Sequence, residues 1–279
     1  MRDDFAVFIL SHGRAGSLTT VNSLKKAGYT GKWFVIIDDL DDQRDAYAEK
    51  FGENVITFDK KLWAEKTDTI TNTGDLRSPV FARNACYEIA RELGIKFFAE
   101  MDDDIMLFNF RYEDCGKLKG KPVKKADELF EAMLKWQEDC GITSLGIACG
   151  AGMIGGVGGK FKQGILRSLH QAFILRTDDP IKFVGLLNED GIATEWCDRI
   201  GKMAFEITSV AQNCPKRSSN EGGLNDLYKA NNEYVRAFYS IVACPAQVKI
   251  HDLGGGITLQ RKSDTGFVKV ISERWKKHA

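Results

Sequence analysis

Apolar runs alternate with charged, helix-spaced segments from the beginning of the chain. Residues 5–10 are continuously apolar, 11–16 are polar and glycine-containing, and 20–27 carry a helical pattern that Gly28 closes. The spacing predicts strand, loop, helix. Residues 33–37 repeat the apolar run and end in Asp38 and Asp39. A charged helix is predicted over 43–51, with Gly52 as its stop, and a short strand over 54–58. Runs apolar on both faces and separated by helices predict a mostly parallel sheet flanked by helices, an α/β fold.

The pattern fades over 60–79, which is polar and lacks firm periodicity. An amphipathic helix is predicted over 80–93, leading into a strand over 95–101. That strand ends in three consecutive carboxylates, Asp102, Asp103 and Asp104, before another apolar run at 105–108. A basic stretch at 117–125 precedes a predicted helix over 126–138 and a buried strand over 144–149. Residues 150–159 hold six glycines in ten without the spacing of a P-loop, which suits a mobile flap. Strands are predicted at 165–175 and 181–187, joined by a turn at 176–180. Glu189 and Asp190 open a loop before a helix over 194–200, and a strand follows over 203–211. A polar loop at 214–223, a helix over 224–238 and a strand over 246–250 lead to His251 and a basic tail at 274–278.

Composition narrows the class. The chain has 279 residues, 43% of them hydrophobic and 28% charged, enough for one large α/β domain. Lysine plus arginine and aspartate plus glutamate both count 39, so attraction to nucleic acid needs a local patch. Seven cysteines without a CxxC pair argue against a disulfide framework and a structural zinc site, and suit a reduced, cytoplasmic setting. The first five residues include two acids where a signal peptide wants basic and then apolar residues. No run approaches the roughly 18 apolar residues of a membrane span, so a soluble protein is expected.

Three adjacent acids repel one another and cannot be buried unpaired, so a strand end that carries them is suited to hold a cation. The alternative is a solvated acidic turn. Alternation along an extended segment points Asp102 and Asp104 to one side and Asp103 to the other. Aspartate oxygens suit Mg²⁺ or Mn²⁺ completed by substrate phosphates, which implies a nucleoside diphosphate. Ligands of open α/β sheets bind beyond the carboxyl ends of strands, so residues 11–14, Asp38, Asp39 and Asp102 to Asp104 should converge on one crevice. Asp38 and Asp39 can accept hydrogen bonds from a base or ribose, or can simply adjoin a helix capped by Asp41 or Asp42. Arg14, Arg77 and Arg83 are candidates for diphosphate oxygens, Arg83 before Arg77 because its helix leads into the acidic strand; surface ion pairing is the commoner fate. Glu189 and Asp190 can act as a general base, or can be first-turn helix acids favoured by the macrodipole. His251 can ligate Mn²⁺ or be satisfied by backbone.

These features resemble a GT-A glycosyltransferase: strand-end acids in a nucleotide-binding half, a DxD motif after a buried strand, a downstream Glu-Asp pair and a late histidine. More closely, residues 9–14 (ILSHGR), 28–38 (GYTGKWFVIID), 81–84 (FARN), 101–105 (MDDDI), 238–241 (FYSI) and 248–251 (VKIH) resemble the phage-encoded TET/JBP-associated glycosyltransferases. That group is thought to attach sugars to hydroxymethylated pyrimidines in DNA, such as hydroxymethylcytosine. The resemblance implies a single GT-A-like domain over 1–279, with a nucleotide-sugar-binding half at 1–110 and a smaller mixed acceptor-side region within 111–279. It implies that Ser11, His12, Arg14 and Asp38 line the nucleotide pocket, beside Asp39 and Arg83. Asp102 and Asp104 would meet the metal and ribose, His251 would complete the metal shell, and Asp190 would be the base. The tripled acid leaves two frames, Asp102-x-Asp104 or one in which Asp103 contributes. The implied cofactors are Mn²⁺ or Mg²⁺ and a nucleotide-sugar donor, UDP-sugar first; the implied acceptor is modified DNA. Lys117 to Lys125, Lys160, Lys162, Lys216, Arg217, Lys276 and Lys277 are candidate phosphate contacts.

Two other classes compete. A sugar nucleotidylyltransferase shares an α/β nucleotide fold, but His12-Gly13-Arg14 is only a fragment of its GxGxR signature. A non-catalytic nucleic-acid-binding module would be poorly served by acids that repel phosphate.

Overall fold

The computed structural model describes residues 1–71, 73–153, 155–215, 233–252 and 259–263. The first half runs Phe5–Leu10 (β1), Thr20–Lys26 (α1), Lys32–Asp38 (β2), Arg44–Phe51 (α2), Val55–Phe58 (β3), Lys60–Lys66 (α3), Val80–Glu92 (α4) and Phe97–Asp102 (β4). A hairpin of Leu107–Asp114 (β5) and Lys117–Pro122 (β6) follows, then Ala126–Cys140 (α5), Ser144–Ala148 (β7), Ile165–Leu166 (β8) and Ala172–Arg176 (β9). Glu189–Arg199 (α6), Ala204–Asn213 (β10), Glu233–Ala243 (α7), Val248–Asp252 (β11) and Leu259–Ser263 (β12) complete the described chain.

The large sheet has the order β3-β2-β1-β4-β9-β7-β10-β5-β6, with β8 beside β10; β11 and β12 pair separately. Strands β3, β2, β1 and β4 are parallel neighbours, as are β7 and β10, while β9 runs antiparallel between β4 and β7. This is the expected GT-A-like arrangement, a mostly parallel sheet covered by helices. Alternation explains why β1 is buried throughout. Phe5, Val7 and Ile9 pack with Val21 and Leu24 of α1 and Phe130 and Leu134 of α5, while Ala6, Phe8 and Leu10 pack with Phe81, Ala85 and Ile89 of α4. Leu10 pairs with both Ile36 and Asp102, so the carboxyl ends of β1, β2 and β4 finish level with one another. That register sets the site. Among the described residues no helix is long and apolar enough to cross a membrane.

Several local expectations are corrected. Residues 60–79 begin with a helix, α3, started by Asp59, whose side chain accepts the Leu62 N–H at 2.8 Å. The basic stretch forms β6, turned back on β5 through Cys115 and Gly116, both at positive φ. The glycine-rich segment, expected only to suit a flap, holds two short 3-10 turns, Gly150–Met153 and Gly156–Gly158, and a third, Lys160–Gln163, follows it. The single strand expected over 165–175 divides into β8 and β9. Helix α6 starts at Glu189, so the Glu-Asp pair is its first turn and not a preceding loop.

The strand expected at 181–187 is absent, although Ile181, Phe183, Val184, Leu186 and Leu187 are buried. Helix α4 and its surroundings take the backbone groups a sheet would have taken. The Ile181 N–H donates to the Tyr87 hydroxyl at 2.9 Å, and the Phe183 N–H to Asn84 Oδ1 at 3.1 Å. Asn84 Nδ2 returns a bond to the Phe183 carbonyl at 2.9 Å, and the Gly185 N–H reaches the Asp68 carbonyl at 2.9 Å. Gly185 has φ +85°, which a β-branched residue would resist. The helix expected over 224–238 lies outside the described residues up to 232, and the described part is α7; the loop over 214–223 lies outside them from 216 onward.

Candidate functional site

The acidic turn after β4 is held from one side by α1. The Asp103 carbonyl accepts the Thr19 and Thr20 N–H groups at 2.9 and 3.2 Å, and the Thr20 hydroxyl donates to the Asp102 carbonyl at 2.6 Å. The same hydroxyl accepts the Ile105 N–H at 3.0 Å. Thr20, a poor helix former, is thus used at the first turn to tie down a strand end.

The Asp103 carboxylate is buried and faces the loop after β1. Ser11 Oγ donates to it at 2.6 Å and Arg14 Nη1 at 2.9 Å. Around it, the Gly13 N–H donates to Asp41 at 2.8 Å, the Arg14 N–H to the Tyr47 hydroxyl at 2.8 Å, and the Ala15 N–H to Gln43 at 2.9 Å. The loop of residues 11–15 therefore has its shape before any ligand arrives. Ser11, Arg14 and Asp103 come together, as expected, and Ser11 Oγ also meets the Tyr47 hydroxyl at 2.6 Å.

The wall at the end of β2 is built from Asp38, His12 and Lys60. Asp38 Oδ2 meets His12 Nδ1 at 2.7 Å and Lys60 Nζ at 3.0 Å. Burial pushes the Asp38 carboxyl up, but the His12 hydrogen bond and the Lys60 charge outweigh it and hold the group below its ordinary value. His12 keeps 46% of its side chain exposed, so its ring is the part of this triad open to a ligand. Asp39 accepts the Lys60 N–H at 2.8 Å, a helix-start role akin to the capping alternative.

Arg83 sits at the centre of the opposite face. Its side chain is buried; Nη1 lies 3.1 Å from Glu100 Oε2, Nη2 3.5 Å from Asp102 Oδ1 and Nε 3.2 Å from Glu189 Oε1. The guanidinium stacks 5.1 Å from the Phe173 ring centroid and 5.8 Å from that of Phe183. Strand alternation accounts for this, because Glu100 and Asp102 share the β4 face turned to α4, whereas Asp103 points to the other. Arg77 is elsewhere, exposed and ion-paired to Asp75 at 2.6 Å.

One guanidinium does not neutralise so many acids. Burial pushes Glu100 up to about 8 and Asp102 up to about 7, against the pull of Arg83. Glu189 is raised by burial and then by the neighbouring Asp190 charge. Asp104 is raised by burial and by Asp103, and its side chain hydrogen-bonds the Cys214 thiol at the end of β10. Among the described residues Arg14 pairs with Asp103 and Arg83 with Glu100, Asp102 and Glu189, so two guanidinium groups serve four of these acids, with Asp104 and Asp190 beside them. The Glu-Asp pair divides its labour: Glu189 turns in to Arg83, while Asp190 stays half-buried, its Oδ1 accepting the Gly191 N–H at 2.6 Å.

Among the described residues no group of three or more His, Cys, Asp and Glu side chains is set to hold a metal unaided. Asp102, with 32% of its side chain exposed, and Asp104 are nevertheless hard oxygen donors in a field of excess negative charge, which fits a divalent cation sharing its shell with phosphate and water. His251 lies on β11; its side chain lies outside the described residues, as do Lys216, Arg217, Lys276 and Lys277.

Two further buried charge clusters, which sequence reasoning passed over, lie between β8 and β9 and their partners, and the residue after His170 accepts the Asp102 N–H. His170 Nδ1 meets the buried Glu206 Oε1 at 2.7 Å, and Arg167 pairs with Glu195 at 3.2 Å and with Asp198. Both lie between β8 and β9, inside what the apolar pattern presents as one strand, so no strand-end signal marks them. Lys60 and Tyr47 are likewise silent in sequence. On the β5–β6 hairpin, Phe110 stands opposite Lys121 and Tyr112 opposite Lys119, all exposed, with Lys117 beyond them.

No curated protein matches the chain. The model of the TET-Associated Glycosyltransferase family matches residues 5–195, a span from β1 into α6 that takes in the loop after β1, the acidic turn and the Glu189–Asp190 pair.

Proposed function

The chain belongs to the TET-associated glycosyltransferase family, and from that premise we propose that it is a metal-dependent, inverting GT-A enzyme. It moves a sugar from a nucleotide-sugar donor, a UDP-sugar first, to the hydroxyl of a 5-hydroxymethylpyrimidine in DNA. One observation carries this reading: the under-neutralised carboxylates around Arg83 at the level ends of β1, β2 and β4. Acids with raised affinity for protons are acids that gain from a divalent cation.

Asp102 and Asp104 would hold the ion, and His251 would join them. Bound there, Mg²⁺ or Mn²⁺ supplies Lewis acidity to the diphosphate that leaves. His12, aligned by Asp38, contacts the nucleoside, and the loop of residues 11–15 keeps a fixed floor beneath it. Asp190 takes the proton from the acceptor hydroxyl, whose oxygen attacks the anomeric carbon from the side away from the diphosphate and inverts it. Arg83 binds Glu189 and thereby fixes the first turn of α6, so Asp190 is presented at a constant position.

For the acceptor, the β5–β6 hairpin supports a nucleic acid. Lys117, Lys119 and Lys121 can meet phosphates while Phe110 and Tyr112 offer faces to bases, a local patch on a chain of zero net charge. Nucleotide sugars and, for a phage-encoded enzyme, replicating DNA are both found in the host cytoplasm.

The test is to incubate the protein with Mn²⁺, a panel of nucleotide sugars and hydroxymethylpyrimidine DNA, then seek a hexose or pentose mass increment that EDTA abolishes. An unmodified oligonucleotide with every donor would refute the reading.

A further inference from the structure

Glu206, the third residue of the ten-residue strand β10, is fully buried, where a carboxylate needs a reason to be. In the sheet it stands beside Gly146 of β7, which in turn stands beside Phe173 of β9. A side chain at 146 would collide: its Cβ would fall 2.8 Å from Glu206 Cγ and 3.2 Å from the Ala172 carbonyl. Gly146 therefore lets the Glu206 side chain lie across β7 and reach the start of β9. There it meets His170 Nδ1 at 2.7 Å.

His170 is fixed against the acidic turn by the strand that follows it. The next residue, Gln171, accepts the Asp102 N–H at 2.9 Å, and Ser168 Oγ lies 3.0 Å from His170 Nδ1. The groups that act on the Glu206–His170 pair are Cys149, at the end of β7, and Asp190, at the first turn of α6. Nδ1 is committed to Glu206, whereas Nε2 makes only a long contact, 3.4 Å to Ser168 Oγ, that a better acceptor can replace; 29% of the side chain is exposed. Burial disfavours the imidazolium, but the hydrogen bonds to Cys149 and Glu206 outweigh it and raise the group well above the ordinary histidine range.

We propose that His170 is a further substrate-binding residue of this crevice, donating from Nε2 to a phosphate oxygen, and that Glu206 is its positioning residue. The assignment rests on the glycosyl-transfer reading above for its substrates. The acids around the turn after β4 repel any phosphate, so a fixed donor beside them answers a need that the metal ion meets only in part. The phosphate belongs either to the donor diphosphate or to the backbone of the acceptor DNA.

Imidazole ¹⁵N resonances test this without turnover. The chain has four histidines, and the His170 signal is the one missing in H170N. UDP with Mg²⁺ and a short hydroxymethylcytosine oligonucleotide are added separately to wild type; the proposal expects one of them to shift the His170 Nε2 signal, naming the source. H170N then raises KM for that same substrate by about 10- to 100-fold, the range of a hydrogen bond to a charged group, with the other KM changed little. E206Q moves the free-protein His170 signal and raises the same KM less. Unmoved resonances with both probes, or a loss confined to kcat in a folded H170N, overturn the assignment. Wild type that transfers no sugar would sink the glycosyltransferase chemistry while leaving the resonance shifts to decide the role of His170.

Discussion

Arg83 and Glu189 lie 106 positions apart in the chain, yet Nε of the first is 3.2 Å from Oε1 of the second. The contact ties α4 to the first turn of α6 and, through the same guanidinium, to Glu100 and Asp102 on β4. Helix α4, strand β4 and helix α6 therefore share one buried cation.

Removing that cation should be costly. R83A leaves Glu100 and Glu189 buried without their partner, and a loss of about 3–5 kcal/mol is expected. Urea denaturation measures it, and a change below roughly 1 kcal/mol would show that the acids shed their charge at no expense.

The three aspartates should separate by role. D102N and D104N weaken Mn²⁺ binding at least about tenfold, an order of 1.4 kcal/mol. D103N weakens it less but loosens the loop it anchors through Ser11 and Arg14, so proteolysis within residues 11–16 accelerates. Calorimetric Mn²⁺ titration and timed proteolysis read the two effects, and equal metal affinities in all three variants would remove the assignment.

D190N should lower kcat by about 10² to 10⁴, the usual contribution of a general base, with donor KM little changed. Steady-state kinetics with saturating acceptor DNA decide it. Normal turnover would mean that the proton leaves by another route.

Glu100 gives the protein a distinctive pH response. Its carboxyl is raised to about 8 in the folded state, so between the ordinary glutamate value and pH 8 the native protein holds a proton that the unfolded chain has released. The contribution of Glu100 is full below the ordinary value and declines as pH rises toward 8. E100Q should remove that decline. The difference in melting temperature between E100Q and wild type should therefore widen from pH 5 to pH 8 in EDTA, whereas a constant difference would contradict the raised value.

If the hairpin meets DNA, replacing Lys117 and Lys121 by alanine should weaken binding and flatten its salt dependence. The log–log slope should fall by roughly 0.9 for each phosphate that is no longer neutralised. Fluorescence anisotropy over a salt series is the measurement. An unchanged slope would move the DNA to another face.

Much of the fold is written in local patterns. The apolar runs at β1, β2, β4 and β7 and the amphipathic helices α4 and α5 report burial through periodicity, which needs only neighbouring residues. The exception at 181–187 shows the limit: a buried apolar run reads alike whether its backbone bonds another strand or the side chains of Asn84 and Tyr87.

The site divides along the same line. Chain order alone fixes that Ser11, Asp38 and the acids after β4 stand at strand ends, because each follows an apolar run directly. How those acids are used depends on long-range geometry. Strand alternation gives Asp103 to the loop of Ser11 and Arg14 and leaves Asp102 with Arg83; packing of α4 on the sheet decides that Arg83 is buried among acids; the absence of a side chain at Gly146 lets Glu206 find His170. Ion pairs reach 136 positions and hydrogen-bonded side chains 168, and no local rule of spacing can encode which group will meet which once the sheet has closed.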